Sequence, residues 1–135
     1  MTMTWPLVAG LVLCLAGLGG HFIMWERWIW GLLQEVRFPA TPLSSPDATR
    51  SLTRIVWHYF TVDWLATIAM ILALLFTDYI QAPKQILLFS AVRWFCYAMC
   101  YAIEGRFKWQ ALKANTEWIN VVLLSGCFLW AASTL

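Results

Sequence analysis

Four long apolar stretches constrain the fold of this chain more than any other feature of its sequence. They cover about residues 5–25, 55–77, 86–103 and 117–135. A helix rises about 1.5 Å per residue, so roughly 20 apolar residues cross the hydrocarbon core of a bilayer, which is about 30 Å thick. Backbone groups in lipid must be satisfied within helices or closed barrels, and stretches this long favour helices. The sequence therefore predicts an all-α integral membrane protein with four transmembrane helices.

The composition agrees with a lipid environment. The chain is 61% hydrophobic and 12% charged, whereas soluble domains are about 45–50% apolar and about 25% charged. A soluble domain of 135 residues leaves too much of its surface accessible to solvent to bury this apolar content in one core. We therefore predict a single transmembrane domain over residues 1–135, with the lipid bilayer around it. The net charge of +2 is too small to indicate a nucleic-acid partner.

The connections between the stretches predict how the helices are arranged. The turn at about residues 78–84 is short, so the second and third spans should be antiparallel neighbours, and the whole should form an antiparallel four-helix bundle. Between the first two spans, apolar residues recur at helical spacing over 26–38, which indicates a short amphipathic helix in the membrane interface. Ser45 followed by Pro46 predicts a helix start, because serine is a good N-cap and proline suits the first helical position. That helix should continue into the second span.

The basic residues predict the orientation of the chain in the membrane. Seven of them lie in the two long connections and only Lys84 lies on the opposite side; the seven are Arg27, Arg37, Arg50, Arg54, Arg106, Lys108 and Lys113. By the positive-inside rule, loops 26–54 and 104–116 should be cytoplasmic and both termini should lie on the non-cytoplasmic side of an inner or plasma membrane. Most of the ten tryptophans fall near span ends, as in an aromatic belt.

Charged groups inside the spans are candidates for function, because an unpaired charge in hydrocarbon is costly. Asp63 lies in the second span and Arg93 in the third, at depths from which their side chains can meet. We predict an Asp63–Arg93 ion pair within the membrane. It would either fix the register of the two helices or belong to a proton or ion path.

A second polar group is predicted near the inner ends of the spans. His21 and His58 fall at similar depth, and a wider candidate intramembrane polar site comprises His21, Glu26, His58, Asp63, Arg93, Glu104 and Asn120. The two histidines suggest three alternatives: hydrogen bonds to backbone or water, axial ligation of a haem b iron, or a metal held together with Glu26 or Asp63. Their spacing distinguishes none of these, so the sequence assigns no metal site and no catalytic residues.

Three classes of function follow from these features. The first is a non-catalytic accessory or structural subunit of a larger membrane complex, favoured by small loops and small-residue spacings such as Ala16-x-x-x-Gly20, which let another helix approach closely. The second is an oligomeric transporter of protons, ions or small solutes that uses Asp63 with Arg93 and the two histidines. The third is a haem- or quinone-linked membrane redox protein or enzyme. The predicted partners are other membrane subunits or further copies of the chain.

Overall fold

Every regular element of the described protein is an α-helix. The computed structural model describes residues 4–24, 30–35, 45–104 and 117–135. These residues form five helices: α1 (Thr4–Met24), α2 (Trp30–Glu35), α3 (Pro46–Phe76), α4 (Pro83–Glu104) and α5 (Glu117–Ser133). Within these ranges there is no strand. The all-α prediction is therefore confirmed for the part of the chain that is described.

Three of these helices are long and apolar enough to cross a membrane, namely α1, α3 and α4. Only 28%, 22% and 28% of the residues in their most apolar stretches are buried, so most of these residues are exposed or half-buried. Such a surface is unfavourable in water and is what lipid requires. The fourth apolar helix, α5, has 17 residues and a length of about 26 Å, slightly less than the hydrocarbon core. The predicted bundle of four spans stays a prediction in its arrangement.

The helix starts follow local sequence rules. Ser45 caps α3: its Oγ accepts a hydrogen bond from the Ala48 amide at 3.2 Å, and its carbonyl accepts one from the Thr49 amide at 2.9 Å. In α4, Pro83 occupies the first helical position and the Ile86 amide donates to the Ala82 carbonyl at 3.2 Å. The turn predicted over 78–84 therefore lies at residues 77–82, because α3 ends at Phe76 and α4 begins at Pro83. Helix α2 is the centre of the amphipathic helix predicted over 26–38, the remainder of which lies outside the described residues.

The chain divides into two compact units, with boundaries inside α1 and inside α3. The first unit comprises Met1–Gly17 and Ile68–Leu135, and the second comprises Leu18–Thr67. In the first unit α4 and α5 pack closely together. Their polar contacts join Tyr101 to Glu117 near one end and Ala91 to Ser125 further along, so the two helices are antiparallel.

Close packing in the first unit centres on Gly10. A Cβ built on Gly10 would lie 3.6–3.7 Å from side-chain atoms of Leu124, Cys127 and Ile71, which is ordinary van der Waals contact. Gly10 therefore lies where α1 faces α5 and the end of α3, with room for one methyl group. By contrast, Ala16 and Gly20 are exposed, so their small-residue spacing is not used for packing among the described helices. The core of this unit is formed by buried apolar side chains, which include Leu7, Ile71, Leu87, Trp94, Leu124 and Phe128.

Candidate functional site

His21 makes a well-defined side-chain contact within the second unit. It lies in the last turn of α1 and is only 4% exposed. Its imidazole stacks on the indole of Trp57 in α3, with ring centroids 4.0 Å apart and planes 8° from parallel. The Phe60 ring lies 6.3 Å from the imidazole at a tilt of 52°. Aromatic pairs in such geometry contribute about 0.5–1.5 kcal/mol beyond their buried area.

The same histidine is tied to the backbone of α3. Its Nε2 lies 3.3 Å from the Trp57 carbonyl oxygen, and a carbonyl only accepts, so Nε2 carries the proton and donates. The hydroxyl of Thr61 donates to that carbonyl as well, at 3.4 Å. The hydrogen bond agrees with the prediction of a histidine bonded to backbone. An iron ligated through Nε2 would have to displace it.

The two histidines of the predicted haem pair occupy different environments. His58 is exposed, although it follows Trp57 directly in the sequence. Successive residues of a helix are turned by about 100°, so the register that points Trp57 towards His21 turns His58 away from the same neighbour. Haem ligation by His21 and His58 stays a sequence prediction, and this part of the structure gives it no support.

Two arginine side chains of the second unit contact other side chains. The guanidinium carbon of Arg54 lies 4.7 Å from the centre of the Trp30 ring, a cation–π contact between α3 and α2. One turn earlier, Arg50 forms a salt bridge of 3.1 Å with Asp47 in the first turn of α3. Arg54 is exposed, whereas the Arg50 side chain is 30% exposed.

Asp63 and Arg93 both lie half-buried within membrane-length helices, as predicted. The backbone carbonyl of Asp63 accepts a hydrogen bond from the Thr67 hydroxyl at 2.8 Å. The Arg93 guanidinium carbon lies 5.4 Å from the centre of the Trp94 ring. Asp63 belongs to the second unit and Arg93 to the first. Their ion pair stays a prediction.

Asn120 fastens α5 to α1 in the first unit. Its side-chain amide donates to the Leu13 carbonyl at 3.1 Å. Of the remaining predicted site residues, Glu26 lies outside the described residues, and Glu104 is the last residue of α4 with a side chain that is also outside them. The predicted gathering of all seven polar residues into one cluster is therefore not tested.

Three polar contacts of the first unit were missed by the sequence reasoning. Tyr101 donates to a Glu117 carboxylate oxygen at 2.8 Å, and the buried Ser125 hydroxyl donates to the Ala91 carbonyl at 2.8 Å. Ser90 lies 3.2 Å from the sulfur of Met70. Hydroxyls in apolar helices are a known signal for contacts between helices, but the sequence does not show which helix they face.

Several polar side chains of the described residues hold neighbouring helices together. Among the described residues, no group of three His, Cys, Asp or Glu side chains is arranged to hold a metal ion. His21, Asn120 and Ser125 each bond to a backbone carbonyl of a neighbouring helix. Comparison with protein-family models, with curated proteins and with solved structures finds no match to this chain.

Proposed function

We propose that this protein is a non-catalytic subunit of a larger membrane complex, built as an antiparallel bundle of four membrane-crossing helices. The observation that carries the proposal is the use of the intramembrane polar groups. His21, Asn120 and Ser125 each bond to a backbone carbonyl of another helix within their own unit. These contacts stabilise the packing of neighbouring helices, as expected of a structural subunit. They also occupy polar side chains, such as the His21 imidazole, that a catalytic site could otherwise use.

The exposed face of α4 is further support for the proposal, because it could contact a neighbouring subunit. It carries an uninterrupted stripe of exposed apolar residues, comprising Leu88, Phe89, Val92, Phe95, Cys96, Met99, Cys100 and Ile103. Beside it, a half-open apolar groove of about 290 Å³ lies between α4 and α5 and is lined by Ala91, Val92, Phe95, Ser125 and Leu129. A side chain from a partner helix fits a groove of this kind, in the way that knobs enter holes between membrane helices.

Native cysteines allow a direct test of this face. Cys96 and Cys100 are exposed on the α4 stripe, whereas Cys14 is buried. The tagged protein would be labelled in membranes with a maleimide carrying a photoactivated benzophenone, illuminated, and purified in mild detergent. We expect a stoichiometric complex with an unrelated chain and a covalent adduct to that chain through Cys96 or Cys100.

The matched control is the double variant Cys96→Ser and Cys100→Ser, which retains the buried Cys14 and the half-buried Cys127. It should purify with the partner but without the adduct through α4. Light scattering after gel filtration would give the mass of the particle. A pure homo-oligomer, with adducts only between copies of this chain, would contradict the proposal.

A transporter is the second candidate, favoured by Asp63 and Arg93. Both are half-buried within helices long enough to cross a membrane, and charged groups at such positions mark ion or proton paths in many membrane proteins. Proton flux into liposomes containing the purified protein would test it. Flux that is lost in Asp63→Asn, while the variant remains folded, would support transport over a structural role.

A further inference from the structure

Arg54 is an exposed cation whose position is nevertheless defined. Its guanidinium lies over the Trp30 ring at 4.7 Å. No carboxylate in the described ranges forms a salt bridge with Arg54, whereas its neighbour one turn earlier, Arg50, is paired with Asp47 at 3.1 Å. The two arginines of the same helix therefore differ: one is neutralised within the chain, and the other presents its charge outwards.

The length of α3 places Arg54 at the level of lipid headgroups. The helix ends at Phe76, which is 80% exposed and is followed within two residues by Asp78. Counting back about 30 Å of hydrocarbon at about 1.5 Å per residue reaches Val56. A tilt of about 20° moves this boundary by about one residue, to Ile55. Going from Phe76 towards the start of α3, Arg54 is thus the first residue beyond the hydrocarbon core. At this level its side chain can reach the phosphates of one leaflet.

The neighbours of Arg54 suit that depth. Tryptophan prefers the membrane interface because its ring is apolar and its N–H is polar. Contact with an aromatic face leaves the in-plane N–H donors of a guanidinium available, and these donors match the oxygens of a phosphate in a bidentate arrangement. His58 lies four residues further along α3 and is exposed, so its ring is on the same side of the helix as Arg54.

We infer that Arg54, held against Trp30, binds the phosphate of an anionic phospholipid such as phosphatidylglycerol, with His58 beside the glycerol region. The inference rests on the membrane embedding of α3 that the proposed function also assumes, but it does not depend on a partner subunit. The bound lipid would pin α2 to α3 at one membrane surface. The charge of Arg54 and its depth both favour a lipid as the ligand. The acyl chains of a lipid can contact the apolar residues that follow Arg54, whereas a soluble anion makes no such contact.

Native mass spectrometry of the detergent-purified protein would test this inference. The protein would be titrated with phosphatidylglycerol and, separately, with zwitterionic phosphatidylcholine, and the bound fraction of each adduct measured. We expect the wild type to prefer phosphatidylglycerol. Arg54→Gln should bind it about tenfold more weakly, the effect of losing one charge-assisted contact. Phosphatidylcholine binding should change little.

The matched control is Arg50→Gln, which removes the same charge one turn away from a side chain already paired with Asp47. It should keep the preference for phosphatidylglycerol. Trp30→Leu, which keeps the charge but removes the aromatic support, should weaken binding by a smaller factor and provides a test if Arg54→Gln does not fold. An unchanged preference in the Arg54 or Trp30 variant, or an equal loss in the Arg50 variant, would overturn the inference.

Two further outcomes separate the assumptions. Displacement of the lipid adducts by millimolar inorganic phosphate would mean a site for a free anion and would overturn the assignment to lipid. Recovery of the wild type from the aqueous fraction without detergent would show that α3 is not embedded in a membrane. It would therefore contradict the proposed function as well as the lipid site. Unaltered lipid binding by an Arg54→Gln variant that is still inserted in the membrane would contradict the lipid site but not the proposed function.

Discussion

The stack between His21 and Trp57 allows a test in which two contacts of one histidine are separated. The imidazole stacks on the Trp57 indole, but its hydrogen bond goes to the Trp57 backbone carbonyl. Trp57→Ala therefore removes the stack and leaves the acceptor in place, whereas His21→Ala removes both contacts. In a double-mutant cycle of the two substitutions, the coupling energy reports the stack without the hydrogen bond.

The expected magnitudes follow from the geometry. The stack should contribute about 0.5–1.5 kcal/mol, and a hydrogen bond between membrane helices about 0.6 kcal/mol on average. Together with the buried volume that is lost, His21→Ala should lower the free energy of unfolding by about 2–3 kcal/mol. The coupling energy between His21→Ala and Trp57→Ala should be about 0.5–1.5 kcal/mol.

Unfolding would be followed by far-UV circular dichroism as the mole fraction of SDS rises in mixed micelles, because ten tryptophans would mix any fluorescence signal. His58→Ala is the matched control: His58 is exposed, so the loss should stay within about 0.5 kcal/mol. A coupling energy below about 0.3 kcal/mol for His21 and Trp57 would contradict the argument, since it would mean that the stacked rings contribute independently.

Two further predictions concern packing and polar contacts in the α1, α4 and α5 region. Gly10→Ala should raise the free energy of unfolding by about 0.5–1 kcal/mol, because the added methyl meets three side chains at ordinary contact distance and a glycine is removed from a helix. Gly20→Ala has open space around it, so the difference between the two variants in the same SDS titration measures the contacts; a destabilised Gly10→Ala would refute the packing. Ser125→Ala should lower stability by about 0.6–1.7 kcal/mol through loss of the bond to Ala91. Ser133→Ala is its control, because that exposed hydroxyl bonds only within its own helix, and equal losses in the two serine variants would count against the contact between helices.

The sequence by itself determined that the chain forms long apolar helices, and it determined where α3 begins. The length of an apolar stretch and a serine before Pro46 are local features, so local rules suffice to locate the long helices and the start of α3. The structure confirms the start of α3, with Ser45 as its cap. It places the start of α4 at Pro83, inside the turn predicted over 78–84 and three residues before the predicted span 86–103. It also confirms that every regular element of the described residues is a helix and that three helices have membrane length.

Only the tertiary structure decided which side chains meet. The sequence grouped His21 with His58 by depth, yet the rotation of α3 turns Trp57 towards His21 and leaves His58 exposed. Likewise Gly10 is a packing position and Gly20 is not, although both are glycines of the same apolar helix. Depth in the membrane follows from counting residues, but a side chain's neighbour depends on the rotation of two helices about their axes. An almost uniformly apolar helix carries little sequence information about that rotation.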